Sequence, residues 1–187
     1  MRKVLACFLI AFSFILAFSA NFSLTNLSFC EEELNEFVEN SANRTAGSEG
    51  EKESANFIQT KLEEINIQPL YESYQQTFDY NNSTSQNVLG LIDNAAEKYV
   101  VIGAHYDNVH RLGESDGVND NASGVITSLN LASYFSNSAL DFNIIFAYFG
   151  AEEVGLVGSQ YFLNNLDENI LDNIILYINL DSIGAGD

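Results

Sequence analysis

Basic residues are scarce in this sequence, with 7 Lys and Arg against 26 Asp and Glu among 187 residues and a formal net charge of −19 with both histidines neutral. A nucleic-acid binder needs a basic surface to neutralise phosphates, so that class of protein is excluded. Proline occurs once and glycine 12 times, which excludes collagen-like and low-complexity chains. Because 47% of the residues are hydrophobic and 18% are charged, the composition predicts a folded chain with a sizeable core.

Cysteine is also scarce, occurring only at Cys7 and Cys30. Cys7 lies in an apolar run over Val4–Phe18. The positively charged Arg2 and Lys3 precede this run, and small residues stand at Ala17 and Ser19 at its end. This pattern predicts an export signal over 1–19 and a secreted or periplasmic mature protein. The run is shorter than the roughly 20 residues that span a membrane, so we expect no stable anchor. Cys30 would then be the only cysteine left, which excludes an internal disulfide and a cysteine-ligated metal.

Residues 20–187 are predicted to form one domain in which strands alternate with helices. Short, continuously apolar runs occur over 99–104, 142–149 and 174–180, and helical patterns lie between them over 123–136 and 157–166. Strands buried on both faces and separated by helices indicate a parallel sheet with helices covering it.

The upstream part of this domain adds helices and a hairpin. The patterns predict a short helix opening at the three carboxylates Glu31 to Glu33. They also predict a helix over 49–66 that starts at a capping box of Ser48 and Glu51. Two strands over 70–78 and 87–92, joined by a polar turn over 81–85, are expected to follow. The hairpin would make the sheet mixed.

Each of the three apolar runs ends in side chains that bind metals. The residues concerned are His105 and Asp107 after the first run, Glu152 and Glu153 after the second, and Asp181 after the third, while Asp120 lies in the loop before the helix over 123–136. If the strands are parallel, these groups emerge at one carboxyl edge of the sheet, where open α/β folds place their ligands. A side chain two residues further along a strand points to the same side, so Asp107 would orient the His105 imidazole.

The charges of these groups indicate two metal ions. Three carboxylates, those of Asp120, Glu153 and Asp181, together with a neutral His105 and one bridging hydroxide, would balance two divalent cations. Imidazole with carboxylates suits zinc, with cobalt or manganese as substitutes. Glu152 would then be free to take a proton from metal-bound water. The residues therefore predict a two-metal hydrolase.

The motifs that hold these residues resemble those of the co-catalytic di-zinc aminopeptidases, of the bacterial leucyl aminopeptidase and aminopeptidase Y type. The matching segments are His105–Asp107, Asn119–Gly124, Phe149–Ser159 and Asn179–Asp181, and Arg44–Ser48 resembles that family's entry segment. The resemblance implies a three-layer α/β/α sandwich with a mixed, mostly parallel central sheet. It also implies an exported enzyme that removes the N-terminal residue of peptides, with zinc as its cofactor.

The resemblance also implies roles for the individual site residues. His105 and Asp181 would bind one zinc, Asp120 would bridge both ions, Glu153 would bind the second ion and Glu152 would be the general base.

The family supplies a further histidine to the second zinc from a downstream loop, whereas this chain stops at Asp187. We therefore expect an incomplete catalytic domain that lacks its C-terminal part. His110 is the alternative for the missing ligand, and Ser182 stands where the family commonly has methionine.

Two other functions stay open at this point. One is a glutaminyl cyclase, a group that resembles the same fold and keeps a single zinc. The other is a non-catalytic, receptor-like module of this fold. The full set of His105, Asp120, Glu152, Glu153 and Asp181 favours the two-metal peptidase over both.

Overall fold

A computed structural model of the chain describes residues 27–40, 43–109 and 116–184, with side chains from residue 31 onward. The predicted export signal over 1–19 and the alternative ligand His110 lie outside these residues. Within the described part of the chain, no helix is both long enough and apolar enough to cross a membrane.

A mixed β-sheet forms the centre of the molecule. Its strands are β1 (Gln68–Pro69), β2 (Gln75–Tyr80), β3 (Ser83–Ile92), β4 (Tyr99–His105), β5 (Asn143–Phe149) and β6 (Ile174–Asn179). Their order is β1-β3-β5-β4-β6, and β2 pairs with β3. Strand β4 runs parallel to both β5 and β6, whereas β3 is antiparallel to β5, β2 and β1. The predicted mixed sheet, with its parallel site-bearing strands, is confirmed.

Helices cover both faces of this sheet. They are α1 (Leu27–Asn40), α2 (Glu49–Glu64), α3 (Ser123–Phe135), α4 (Val157–Asn165) and α5 (Glu168–Asp172). The first three pack on one face with alternate side chains of β4 and β5, including Ile102, Ile144 and Phe146. Helix α4 packs through Phe162 on the opposite face, where Val101 and Ile145 point. The expected three-layer α/β/α sandwich is thereby confirmed.

Two upstream elements differ from the sequence expectations. Helix α1 begins at Leu27, so Glu31 to Glu33 lie within the helix rather than opening it; Glu33 is half-buried, and its carboxylate accepts a hydrogen bond from Asn130 Nδ2 at 3.4 Å. The hairpin turn is only Asn81 and Asn82, both with positive φ, which asparagine tolerates well. The short turn lets β3 begin at Ser83 and leaves β2 to begin at Gln75, because residues 71–74 form a bend instead of a strand.

Strand β6 is an edge strand in the described part of the chain, and most of its side chains are exposed. In the described part of the chain it pairs with β4 alone. Ile175, Leu176, Tyr177 and Ile178 are between 38% and 57% exposed. The apolar run predicts the strand correctly, but its place in the sheet leaves the strand open to solvent.

Burial predicts which isoleucine stabilises the sheet. Ile145 of β5 is fully buried, whereas Ile175 of β6 is 57% exposed. We expect Ile145→Ala to lower the free energy of unfolding by about 2–5 kcal/mol through lost burial and a cavity. The matched change Ile175→Ala should cost less than about 0.5 kcal/mol, as surface changes do. Urea denaturation followed by circular dichroism measures both, and equal losses would contradict the assigned burial.

Candidate metal centre

Strand register brings the predicted ligands to one edge of the sheet. His105 ends β4 and lies opposite Phe149, which ends β5. Gly103 lies opposite Asn179 of β6. His105 and Asp181 each lie two residues beyond this pair, so they reach the same edge of the sheet. Glu152 and Glu153 follow β5 in the next turn. The parallel pairing alone therefore places residues from three distant segments side by side.

The side chains converge around the His105 imidazole. Its Nε2 lies 3.1 Å from Asp120 Oδ1 and 3.6 Å from Asp181 Oδ1. One ligand atom from each of His105, Asp120 and Glu153 lies within 4.8 Å of the other two. Glu152 approaches the opposite ring nitrogen, with Oε2 3.9 Å from Nδ1. Imidazole nitrogen and carboxylate oxygens in this arrangement fit a zinc ion or a similar divalent cation.

The electrostatics of the cluster also suit a cation. Burial raises the pKa of Glu152, and nearby carboxylates, including those of Asp107 and Asp181, raise it further despite His105. Burial likewise raises the pKa of Glu153, helped by Asp120. Burial disfavours the charged His105, but the hydrogen bond and charge of Asp107 outweigh it and raise that pKa to about 9. The cluster therefore carries an excess of negative charge that a divalent cation would neutralise.

Asp107 is fully buried beneath the cluster, and its carboxylate holds the turn after β5. Its Oδ1 accepts a hydrogen bond from Glu152 N at 3.0 Å, and its Oδ2 accepts one from Glu153 N at 3.1 Å. The same Oδ1 lies 3.6 Å from His105 Nδ1, whereas the Asp107 backbone oxygen lies 3.2 Å from that nitrogen. Asp107 therefore lies beside the imidazole as expected, and it also fixes the backbone of Glu152 and Glu153.

Asn121 ties three ligand segments together. Its Nδ2 donates to His105 O at 3.3 Å and to Leu180 O at 2.9 Å. Its Oδ1 accepts from Ser182 N at 3.2 Å and from Gly124 N at 3.0 Å. The amide thus holds the backbone on both sides of Asp181, while Asn121 itself follows Asp120. Gly124 is required here because a Cβ would lie 2.3 Å from Leu180 O.

Arg44 holds the loops on the other side of the cluster. The side chain is fully buried, with Nε donating to Tyr106 O at 2.8 Å, Nη1 to Asp116 O at 2.9 Å and Nη2 to Gly117 O at 2.8 Å. Burial lowers its pKa to about 10, opposed by the charges of Asp107, Asp116 and Asp120. The guanidinium therefore joins the segment after β4 to the loop that carries Asp120.

An apolar cleft of about 630 Å³ opens beside the cluster. His105, Glu152 and Asp181 border it, and its walls include Phe162, Leu163, Leu171 and Tyr177. A ligand with an apolar group in this cleft would therefore lie next to the polar cluster.

Sequence reasoning identified the ligand candidates but not the buried groups that support them. The sequence indicated Arg44 only through the family resemblance and Asn121 only as part of a motif. It indicated Glu51 only as a residue at the start of a helix. The scarcity of basic residues is a signal that could have identified Arg44, because the sequence contains only 7 Lys and Arg. Each of these three side chains has hydrogen-bond partners that lie between 16 and 100 positions away in sequence, and no local pattern shows such contacts.

Comparison with known families agrees with this geometry. The profile described as Peptidase family M28 matches residues 87–187, which is more than half of the chain. The chain belongs to peptidase family M28. The matched segment begins within β3 and contains every predicted metal-ligand residue of this M28 chain.

Individual relatives match the M28 chain over part of their length. The probable leucine aminopeptidase 2 of Arthroderma benhamiae is 37% identical over 107 residues, which cover 57% of this chain and 21% of the relative. The structure of BSAP, a zinc aminopeptidase from Bacillus subtilis, matches with 37% identity and a TM-score of 0.50 over 56% of this chain and 26% of that one. The chain therefore spans about a fifth to a quarter of the length of these relatives.

A glutaminyl cyclase structure shares the fold of the M28 chain. The Tannerella forsythia enzyme matches with a TM-score of 0.63 and 20% identity, covering 84% of this chain and 62% of that one. Identity at this level shows a common fold and carries no argument for a common reaction.

Asp120 provides the test of the metal centre. Its carboxylate lies next to His105 Nε2, so Asp120→Ala should weaken zinc binding at least about 100-fold, since loss of a ligand exceeds the effect of losing a supporting group. Asp141→Ala is the matched control, because that exposed carboxylate lies before β5, at the end of the strand opposite to the cluster. Competition with a chromogenic chelator measures both. Equal zinc affinity in the two variants would remove Asp120 from the centre.

Asn121 provides a separate test of the supporting network. Asn121→Ala removes four hydrogen bonds around His105 and Asp181, and we expect zinc affinity to fall about 10–100-fold. Asn164→Ala on the exposed face of α4 is the control and should retain wild-type affinity. Isothermal titration with zinc measures the change. Full affinity in folded Asn121→Ala would show that the ligands hold their positions without this amide.

Proposed function

We propose that this chain carries the metal centre of an exported zinc aminopeptidase that hydrolyses the N-terminal peptide bond of peptides. The observation that carries the proposal is the convergence of His105, Asp120, Glu153 and Asp181 at one edge of the sheet in an M28 chain. Relatives at 36–38% identity that are named aminopeptidases support it. Export rests on the sequence pattern over 1–19.

Four residues would hold two zinc ions in the complete catalytic domain. His105 and Asp181 would hold one ion, Glu153 would hold the other, and Asp120 would contact both. The short distances from His105 Nε2 to Asp120 and Asp181 support this division. Bound zinc supplies a Lewis acid that polarises the scissile carbonyl and makes water a better nucleophile.

Glu152 would act as the general base. Its carboxylate would accept a proton from the attacking water and pass it to the amine that leaves when the peptide C–N bond breaks. Its side chain is about a quarter exposed at the border of the cleft, so both substrate and water can reach it. The raised pKa of Glu152 brings this carboxyl group nearer to the neutral range where a base works best.

Asp107, Asn121 and Arg44 would keep these groups in place during the reaction. Asp107 fixes the peptide groups of Glu152 and Glu153, so the base and the ligand beside it cannot move independently. The apolar cleft would accept the side chain of the substrate's N-terminal residue.

Glu152→Gln tests the proposed reaction. The substitution keeps the shape of the side chain but removes the proton acceptor, so turnover of aminoacyl chromogenic amides should fall about 10²–10⁴-fold. Zinc content should stay at the wild-type value. Glu97→Gln, at an exposed loop position, is the control and should retain full activity.

The same assay separates the alternatives. Chelator-sensitive release of the N-terminal residue supports the aminopeptidase. Cyclisation of N-terminal glutamine with one zinc per chain would replace the proposal with a cyclase. Absence of both reactions in a folded, zinc-loaded protein that contains the complete catalytic domain would leave a non-catalytic module.

A further inference from the structure

Glu51 is a buried carboxylate in the first turn of α2, far in sequence from the predicted ligands. Only 1% of the residue is exposed. Its Oε2 accepts a hydrogen bond from Gly47 N at 2.6 Å, and its Oε1 accepts hydrogen bonds from Ser85 Oγ at 2.7 Å and Ala151 N at 3.0 Å. The carboxylate therefore joins the start of α2 to β3 and to the turn that follows β5.

That turn places both Glu152 and Glu153, and two buried carboxylates hold its backbone. Three successive N–H groups point at them: Ala151 N at Glu51, and Glu152 N and Glu153 N at Asp107. Ala151 is fully buried and has a φ of 52°. An alanine in this left-handed conformation needs surrounding contacts to hold it there, and the Glu51 hydrogen bond is one of them.

Close packing leaves the Glu51 carboxylate little freedom to move. A Cβ built on Gly150 would lie 2.6 Å from Ser85 Oγ and 2.8 Å from Glu51 Oε1. The absence of a side chain at Gly150 is what allows the carboxylate to reach the Ala151 N–H. A shift of the carboxylate would therefore be transmitted directly to the turn.

Helix capping does not account for this burial. Ser48 Oγ already accepts a hydrogen bond from Glu51 N at 3.1 Å, and a capping-box glutamate would reach back to the Ser48 N–H at the helix start. Instead the carboxylate points inward, although burial raises its pKa to about 7 and so disfavours its charged form. A charge buried at such a cost is expected to have a specific role.

We propose that Glu51 is a positioning residue for the metal centre, holding Ala151 so that Glu153 faces the cation and Glu152 faces the cleft. The part that concerns Glu152 rests on the proposed aminopeptidase function. The part that concerns Glu153 requires only that the cluster binds a divalent cation.

The experiment changes the distance between the carboxylate and the turn. Glu51→Ala removes the acceptor and Glu51→Asp withdraws it by one methylene. Glu51→Gln keeps one oxygen that can accept from Ala151 N, but its amide nitrogen cannot accept from Gly47 N. Glu53→Ala and Glu53→Asp, on the exposed side of the same helix, are the matched controls. Zinc affinity, the visible absorption spectrum of the cobalt-substituted protein, kcat and KM are measured for each variant.

We expect Glu51→Ala and Glu51→Asp to lower kcat and zinc affinity about 10–100-fold and to alter the cobalt spectrum, with little change in KM. Glu51→Gln should retain more activity and zinc affinity than Glu51→Ala, because its amide oxygen can still accept from Ala151 N. The Glu53 variants should match the wild type. A purely structural role would lower the melting temperature without changing the spectrum or the affinity.

Wild-type zinc affinity, cobalt spectrum and kcat in folded Glu51→Asp would overturn the proposal. So would failure of both Glu51→Ala and Glu51→Asp to fold, because Glu51 would then serve the fold instead of the site. If the wild-type protein with the complete catalytic domain shows no aminopeptidase activity, the proposed function fails. The spectrum and the zinc affinity of the variants still decide the role of Glu51 in that case.

Discussion

Parallel hydrogen bonding of β4 with both β5 and β6 is the constraint on which the rest of the site depends. It aligns the ends of three strands, so that residues following them meet at one edge. Tyr106 N donates to Phe149 O at 3.0 Å and Leu180 N donates to Gly103 O at 2.8 Å. The parallel hydrogen bonding thus continues beyond the regular strands to Tyr106 and Leu180, the neighbours of His105 and Asp181.

Gathering several carboxylates at this edge is costly without a cation, because like charges raise one another's pKa. Hydrogen-bond donors at fixed positions lie beneath the cluster. Backbone N–H groups of the turn after β5 donate to Asp107. The Arg44 guanidinium donates to three backbone oxygens, and the Asn121 amide bonds to the backbone beside Asp181. The Arg44 and Asn121 hydrogen bonds thus go to the backbone of the segments that carry the ligands and not to the ligand side chains.

Membership of peptidase family M28 and the geometry of the cluster support each other on independent grounds. The family match covers residues 87–187, whereas Arg44 and Glu51 lie upstream of it and still contact the site segments. The first turn of α2 and the segment before it therefore belong to the site's supporting structure. This connection explains why the charged side chains of Arg44 and Glu51 are buried as deeply as the core.

The sequence by itself determined the three site-bearing strands and supplied the candidate metal ligands. Apolar runs placed β4, β5 and β6 within one residue at each end, and the residues after them named His105, Glu152, Glu153 and Asp181 as the candidates. These features depend on local pattern, which a sequence displays directly. Only the tertiary structure decided that the Asp107 carboxylate binds the turn after β5 and that the Glu51 carboxylate points inward. Those outcomes depend on contacts between distant segments, such as Glu51 and Ala151, and such contacts exist only once the chain has folded.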